Sequence, residues 1–375
     1  MSISKHKLAI VLNSTGWGGL EMNTLKLAKE LLRNGVEVYH IVNRESRYAQ
    51  EIEGEFDYIL HLNSPKKYFD FKNAKILWNH LKENEIQNVF VSFRADLDLV
   101  AIAKRKSMHT IHVIHQQHML MGITKTGITQ RYRYRAIDIW LCPLEILKPD
   151  VLVNTQVPES KIRIAPIGIH IEFFLTPKHT KSEAQKILGC ETNAKLIGVF
   201  GRIELKKRQL FLIEAIKKLR ELGEDVELLI VGMPTLNDPN GTFYFNELKT
   251  SIENNELTKA VRFVSFTDDV TICFAAIDFL AMPSECETYG MVTLEAMLSK
   301  VPVIGTNSGG TPEILDFGKY GELYEVDQID SFIEHFKTLN LRIETGDLNL
   351  DIIQNEIAEK YNISKEVIAV MDAMV

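Results

Sequence analysis

The chain has 375 residues, 45% hydrophobic and 25% charged, with a formal net charge of -7. That length suits two domains with a substantial core each, the composition is that of a soluble globular protein, and no run approaches a membrane span. The charge is divided, since residues 1–180 carry 24 Lys+Arg against 18 Asp+Glu and residues 181–375 carry 19 against 32.

The N-terminal "MSISKHKLAIVLNS" starts basic, but its apolar part is short and runs into glycines. It reads as a first strand, Leu8 to Leu12, and not as a signal peptide. A helix from Leu20 to Arg33 and a strand from Val36 to Val42 follow. The turn between strand and helix, "GWGG", hints at a dinucleotide fingerprint. Its third glycine would fall at Glu21, however, and the second strand ends in Asn43 instead of an acid, which argues against an NAD role. Gly18 and Gly19 then either let the backbone approach a phosphate or sugar or make a structural tight turn.

Val89 to Phe93, His109 to Ile114 and Ile139 to Leu141 continue a parallel sheet with helices on both faces. Within this half "RADLD" sets Asp96 and Asp98 as a metal-holding pair would, although capping of the helix that begins at Leu97 explains them equally well, and Asp268-Asp269 is read the same way. His109, His112, His115 and His118 lack cysteines or carboxylates at ligand spacing, so no metal is expected; His115, at the carboxyl end of its strand, is best placed to face a ligand. Lys66-Lys67, Lys104-Arg105-Lys106 and the arginines Arg131, Arg133 and Arg135 of "RYRYR" suit anionic lipid headgroups or an anionic acceptor, or are solvated faces. They are too short for nucleic acid. Cys142, Cys190, Cys273 and Cys286 show no metal or redox spacing, and reduced thiols in a cytoplasmic protein are expected.

Pro166 to Lys181 reads as a linker. The pattern then restarts with the strand Leu196 to Phe200, a helix striped by Leu212, Ile213, Ile216 and Leu219, and strands at Val226 to Val231, Val261 to Val264, Phe279 to Met282 and Val301 to Ile304. Helical stretches from Asp351 to Lys360 and Ser364 to Met374 end the chain. Ligands of open parallel sheets bind beyond the carboxyl ends of the strands, so the substrate is expected between two such domains.

Two segments bring chemistry to such an edge. In "SECETYGMVTLEAMLSKVPVIGTNSGGTPEIL" a strand breaks at Pro283-Ser284 and a helix begins near Gly290, whose free N–H groups make an anion site with Glu287 and Glu295 beside it. Carboxylates there suit hydroxyls, because each offers two acceptor oxygens to a vicinal diol; one would hold a ribose and the other a hexose. "FGRIELKKRQ" delivers Arg202 and Lys207, fixed cations for the charge that a departing diphosphate gains.

Together these residues resemble the retaining glycosyltransferases of family four. The family's Glu, seven residues, Glu element appears as Glu287 to Glu295 and its Gly-Gly-x-Pro-Glu element as Gly309 to Glu313. "GRIELKK" is similar to its Arg-to-Lys diphosphate clamp, "GWGGLE" to its N-terminal glycine loop, and "ELLIVG" to the strand before its nucleotide-binding turn. The sequence departs from the family at Cys142, Ile167, His170, Arg208 and Ser265.

The resemblance implies a GT-B architecture: two Rossmann-like parallel-sheet domains facing each other across a cleft, at 1–172 for the acceptor and 182–348 for the nucleotide sugar, with helices in 349–375 packing back on the first. It places Arg202, Lys207, Glu287, Tyr289, Gly290, Met291, Val292 and Glu295 at the donor, with Glu295 on the ribose. His115 comes to the donor sugar, and His115, Glu287, Arg202 and Lys207 become the catalytic set, with Gly18 and Gly19 at the acceptor or a phosphate. The expected function is metal-independent, retaining transfer of a hexose-type sugar from a UDP-linked donor to a hydroxyl of a glycan or lipid-linked acceptor. The setting expected is bacterial cell-surface polysaccharide or glycoconjugate synthesis, in the cytoplasm or at the inner face of an anionic membrane. A nucleotide-sugar epimerase of similar fold and a non-catalytic nucleotide-sugar-binding protein are the alternatives.

Overall fold

The computed structural model of the chain describes residues 6–63, 65–66, 68–235, 238–265, 267 and 269–375. Lys67 and Asp268, named above, lie outside them. The chain divides into two compact units, one that ends at Ile169 and resumes with Tyr361–Val375, the other His170–Lys360.

The first unit is built on seven strands: β1 (Lys7–Leu12), β2 (Glu37–Asn43), β3 (Tyr58–Leu62), β4 (Asn88–Val91), β5 (His112–Gln116), β6 (Ile139–Cys142) and β7 (Ile162–Ile164). They pair in parallel in the order β3-β2-β1-β4-β5-β6-β7, with Ala9 level with Tyr39 on one side and Val89 on the other. The second unit repeats the plan with β8 (Lys195–Phe200), β9 (Val226–Val231), β10 (Val261–Val264), β11 (Phe279–Met282), β12 (Val303–Thr306) and β13 (Glu322–Tyr324), ordered β10-β9-β8-β11-β12-β13. Residues of β1, β4, β8 and β11 are buried almost throughout, as strands covered by helices on both faces must be. In each sheet the strand order reverses beside the first strand, between β1 and β4 and between β8 and β11, which is where an open parallel sheet leaves a crevice for a ligand.

The strand pattern read from sequence is present, with three additions and some shifts of boundary. β3 is an edge strand with its face partly exposed, and β7 and β13 are three residues each, too short for a period to show. β5 starts at His112 and not His109, because Met108 and His109 turn through φ +52° and +70° after the preceding helix. Asp96 and Asp98 do not cap the helix Leu97–Lys106. Asp96 accepts from both Asn13 N (2.8 Å) and Asn13 Nδ2 (2.9 Å), and Asp98 accepts from Phe69 N (2.7 Å), so these acids pin loops. Burial pushes the Asp96 carboxyl up to about 6 against those two hydrogen bonds. Cys142, Cys190 and Cys273 are buried, whereas Cys286 is exposed and so is no core residue.

The segment expected as a linker holds the crossing at Ile169–His170 and ends in the helix Lys181–Leu188, capped by Thr180 and Glu183. Of the two C-terminal helices only the last returns to the first unit. Leu350–Lys360 stays with the second, where Gln354 Nε2 donates to Leu298 O at 2.5 Å and Ile353 and Ile357 are buried. Helix Ile363–Met371 joins the first unit's core through Ile363, Val367 and Val370, each fully buried side chain worth roughly 1.5–3 kcal/mol. Where the chain leaves and re-enters this unit, Ile169 N donates to Tyr361 O (2.8 Å) and Ile363 N to Ile169 O (3.0 Å). The buried Glu366 accepts from Gly168 N (2.8 Å) and Gln116 Nε2 (2.6 Å).

At Gly168 a Cβ would lie 2.4 Å from Ile363 Cα, so these backbones approach too closely for a side chain. Gly168→Ala is expected to destabilise the protein by about 1–3 kcal/mol in urea unfolding, whereas Gly19→Ala, with nothing within 4 Å of the added carbon, leaves stability unchanged or raised.

Candidate active site

In the second unit the loops after β8 and β11 stand on either side of the reversal in strand order, and they carry the charged residues that the sequence singled out. The β8 loop leaves the sheet at Gly201, beside Gly232 of the β9 loop, where a Cβ would sit 2.0 Å from Gly201 O. The loop is fixed by Ile203 N donating to Met233 O (3.2 Å) and by the buried Gln209, whose Nε2 donates to Arg202 O (2.9 Å). Arg202 itself is exposed, and its guanidinium has no protein partner among the described residues. Lys207 ends a single 3-10 turn, Leu205–Lys207, and its Nζ lies 2.5 Å from Glu287 Oε2.

Glu287 is held from three sides. Ser284 Oγ donates to its carboxylate (3.3 Å), Gly310 N donates to its carbonyl (2.7 Å), and Gly309, at φ +61°, leaves only 2.2 Å between a would-be Cβ and that carbonyl oxygen. That contact gives the Gly-Gly-x-Pro-Glu element its physical reason, because no other residue lets the β12 loop pass the Glu287 backbone. Tyr289 is buried, Gly290 sits at φ +73° as the N-cap, and helix Met291–Leu298 follows, so the first N–H of the helix lies four residues after Glu287. Val292 and Glu295 are half-buried on that helix. The structure therefore brings Arg202, Lys207, Glu287, Tyr289, Gly290, Met291, Val292 and Glu295 to one edge of one sheet.

Residues that sequence reasoning passed over complete the edge. Arg208, at φ +52° in the left-handed region, sends its guanidinium to Asp327 (2.8 Å) and Glu285 (3.8 Å). Glu285 N also donates to Lys206 O (3.0 Å), which ties the β11 loop to the β8 loop directly. A charged residue where the family has glycine was the available signal, but its partner Asp327 is more than a hundred residues away.

In the first unit, Gly18 and Gly19 open the helix Gly19–Arg33. Neither has a crowded Cβ position or a left-handed φ, so a tight turn does not require them. The loop is ordered by the buried Glu21, which accepts from Gly18 N (2.9 Å) and Ser14 Oγ (2.5 Å). His115 lies within β5, 2% exposed, with its ring edge-on to Trp140 at 4.6 Å and Nδ1 donating to Val91 O (2.8 Å). The lone pair is thereby left on Nε2. Burial pushes this imidazole down to about 4, and the neighbouring His118 down to about 3. His112 is a structural residue whose Nε2 bonds Ala373 O (2.9 Å).

Residues 180–356 match the family model described as glycosyl transferases group 1, and residues 17–173 match the model of glycosyltransferase family 4. The chain belongs to glycosyltransferase family four. This glycosyltransferase is 28% identical over 321 residues to an Escherichia coli UDP-Gal:alpha-D-GlcNAc-diphosphoundecaprenol alpha-1,3-galactosyltransferase, covering 81% of the chain and 79% of the relative. It is 27% identical over 246 residues to the sulfoquinovosyl transferase SQD2 of Arabidopsis thaliana, covering 62% of the chain and 43% of the relative. The chain thus spans about half the length of some curated relatives that it matches. Its fold is that of the Anabaena HepE protein, solved in complex with UDP and glucose, with a TM-score of 0.80 at 18% identity over 98% of each chain.

The geometry of His115 makes a direct prediction about its charge. In an NMR titration the His115 imidazole is expected to stay neutral to a midpoint of about 4; a midpoint at its ordinary 6.5 would mean that the ring is open to water. Since the unfolded chain takes up this proton first, the stability it contributes is full above pH 6.5 and is lost as pH falls toward 4.

Proposed function

We propose that this glycosyltransferase moves a hexose-type sugar from a UDP-linked donor to a hydroxyl of a glycan or lipid-linked acceptor, with retention of anomeric configuration and no metal. The setting is bacterial cell-surface polysaccharide or glycoconjugate synthesis. The observation that carries the reading is the 2.5 Å pair of Lys207 and Glu287, on the same loop as Arg202, whose guanidinium has no protein partner among the described residues. A donor diphosphate meets two cations on one anchored loop, Arg202 with no protein partner among the described residues and Lys207 lightly held by a partly exposed carboxylate.

As the phosphate oxygens arrive, the Lys207 ammonium exchanges Glu287 for phosphate. Glu287 is then released to accept from hydroxyls of the donor sugar. Arg202, Lys207 and the amides of Gly290 and Met291 stabilise the negative charge that collects on the leaving diphosphate, charge that a divalent ion would otherwise have to meet. Glu295 accepts from the ribose hydroxyls. The UDP assignment is supported by the galactosyltransferase relative and by the UDP bound to HepE. Neutral His115 keeps an acceptor nitrogen for a sugar hydroxyl or for a proton in transit.

Lys207→Ala and Arg202→Ala are each expected to lower kcat about 10²- to 10³-fold, the loss of about 2.7–4 kcal/mol typical for a donor aimed at developing charge, while Glu295→Gln raises KM for the donor. A chelator is expected to leave turnover intact. Donor consumption without an acceptor that ends in an epimer would overturn transfer as the activity.

No helix of the described residues is long and apolar enough to cross a membrane. Met119, Ile123 and Ile128 are exposed near Arg131 and Arg135, and this pairing of apolar and basic groups fits peripheral contact with an anionic membrane. Flotation with anionic vesicles at low salt and its loss at high salt is the expected result; flotation in neither condition would count against the contact.

A further inference from the structure

Arg133 is only 8% exposed, yet its Nη2 is buried with no hydrogen-bond partner among the described residues. Its Nε reaches Asp98 Oδ1 at 3.3 Å and its guanidinium stacks 4.5 Å from the Tyr68 ring centroid. The other oxygen of Asp98 is occupied by Phe69 N at 2.7 Å. A guanidinium so deep, with a donor group unmet, is what remains when a ligand supplies the missing acceptor.

Two more cations share this part of the unit. Arg94 lies at the start of the turn after β4, and its one described side-chain contact is to Met121 Sδ at 3.4 Å, a weak acceptor. Lys125 stands in the loop between β5 and the helix Ile128–Arg135, anchored by its own N–H donating to Asn154 O at 2.7 Å. Neither has a carboxylate within ion-pair distance among the described residues. Asp150, the acid in their neighbourhood, is committed to Met121 N (2.7 Å) and Asn154 Nδ2 (2.6 Å). Burial and the charge of Arg94 both push the Lys125 ammonium down, which places the two cations close enough to repel.

Arg94 follows the carboxyl end of β4, the strand that flanks the reversal of strand order in the first sheet, Lys125 follows that of the neighbouring β5, and Arg133 sits on the next helix. A neutral structural pair accounts for Arg133 with Asp98 and for neither of the others. Three cations in one part of the unit, with Asp98 on one of them and Asp150 already committed to N–H donors, have an electrostatic cost that a multiply charged anion removes, and a phosphoryl group takes both the planar fork of arginine and the point charge of lysine.

We propose that Arg94, Lys125 and Arg133 form a phosphate subsite in the first unit, which holds a phosphoryl group borne by the acceptor. The acceptor is then a phosphorylated sugar or a lipid-linked phosphate. This rests on the transferase reading above for its purpose, though not for its existence. It also gives "RYRYR" a divided role: Arg133 faces inward to the subsite, whereas Arg131 and Arg135 are exposed.

The test is a thermal-shift titration of the full chain with inorganic phosphate, at ionic strength matched with chloride, on wild type, Arg94→Gln, Lys125→Gln and Lys207→Gln. Arg133→Lys, which keeps the buried charge, serves as a fourth variant. A saturable rise in melting temperature is expected for wild type and Lys207→Gln, with phosphate affinity at least tenfold weaker in Arg94→Gln and Lys125→Gln. Flotation with phosphatidylcholine vesicles that carry phosphatidic acid forms the second arm, and the same variants report whether the group is recognised on a lipid. Dependence on Arg94 and Lys125 in the soluble arm assigns a water-soluble phosphate, and dependence in the vesicle arm alone assigns a lipid-borne one. Dependence on these residues in neither arm overturns the subsite. A UDP-induced shift lost in Lys207→Gln but kept in Arg94→Gln supports the donor reading separately, and its absence from wild type would sink that reading while leaving the phosphate result intact.

Discussion

The ion pair between Lys207 and Glu287 joins the two loops on which the donor reading depends, and it does so with both partners still reachable by solvent. A deeply buried pair would resist exchange, because separating it strands a charge in a poor dielectric; a fully exposed one would hold no geometry. This pair lies between those limits. It sets the ammonium at the start of one helix and the carboxylate just before another, at the reversal of strand order, without sealing either away from a ligand.

The two units solve the same architectural problem with different chemistry. In the second, the carboxyl edge is held by backbone contacts that only glycine allows, at Gly232 and Gly309, and by ion pairs between loops. In the first, buried carboxylates take that part: Asp96 and Glu21 organise the glycine loop, and Glu366 returns from the end of the chain to bond Gln116 and Gly168. Burial raises the carboxyls of Asp96 and Glu366, and their backbone hydrogen bonds oppose the rise. The N–H of Gly18 is already satisfied by Glu21, so the N-terminus of that helix is furnished with an acid.

Much of this was legible in the sequence where the signal is periodic or local. The apolar runs of β9, β10 and β11 coincide with the strands observed, and the carboxylates of Glu287 and Glu295 fall at a strand-to-helix junction as their spacing implied. Signals were lost where the determinant is distant. Nothing near Asp96 announces that Asn13, more than eighty residues earlier, claims both its oxygens, and nothing near Leu350 says that this helix stays with the second unit while the next one leaves it. His115 shows the middle case: strand register placed it near the carboxyl end of β5, but its burial comes from Trp140 on the adjacent strand, a partner that no local pattern names. The phosphate subsite belongs to the same class, since an unmet guanidinium is visible only once its neighbours are in place.

Donor binding turns on what Lys207 does when the diphosphate arrives. A crystal structure of the chain with bound UDP measures this directly. The expected result is the diphosphate seated between Arg202 and Lys207 with the first amides of helix Met291–Leu298 opposite, and Lys207 Nζ moved from Glu287 onto phosphate oxygen. A nucleotide bound elsewhere, with the 2.5 Å contact between Lys207 and Glu287 undisturbed, would contradict it.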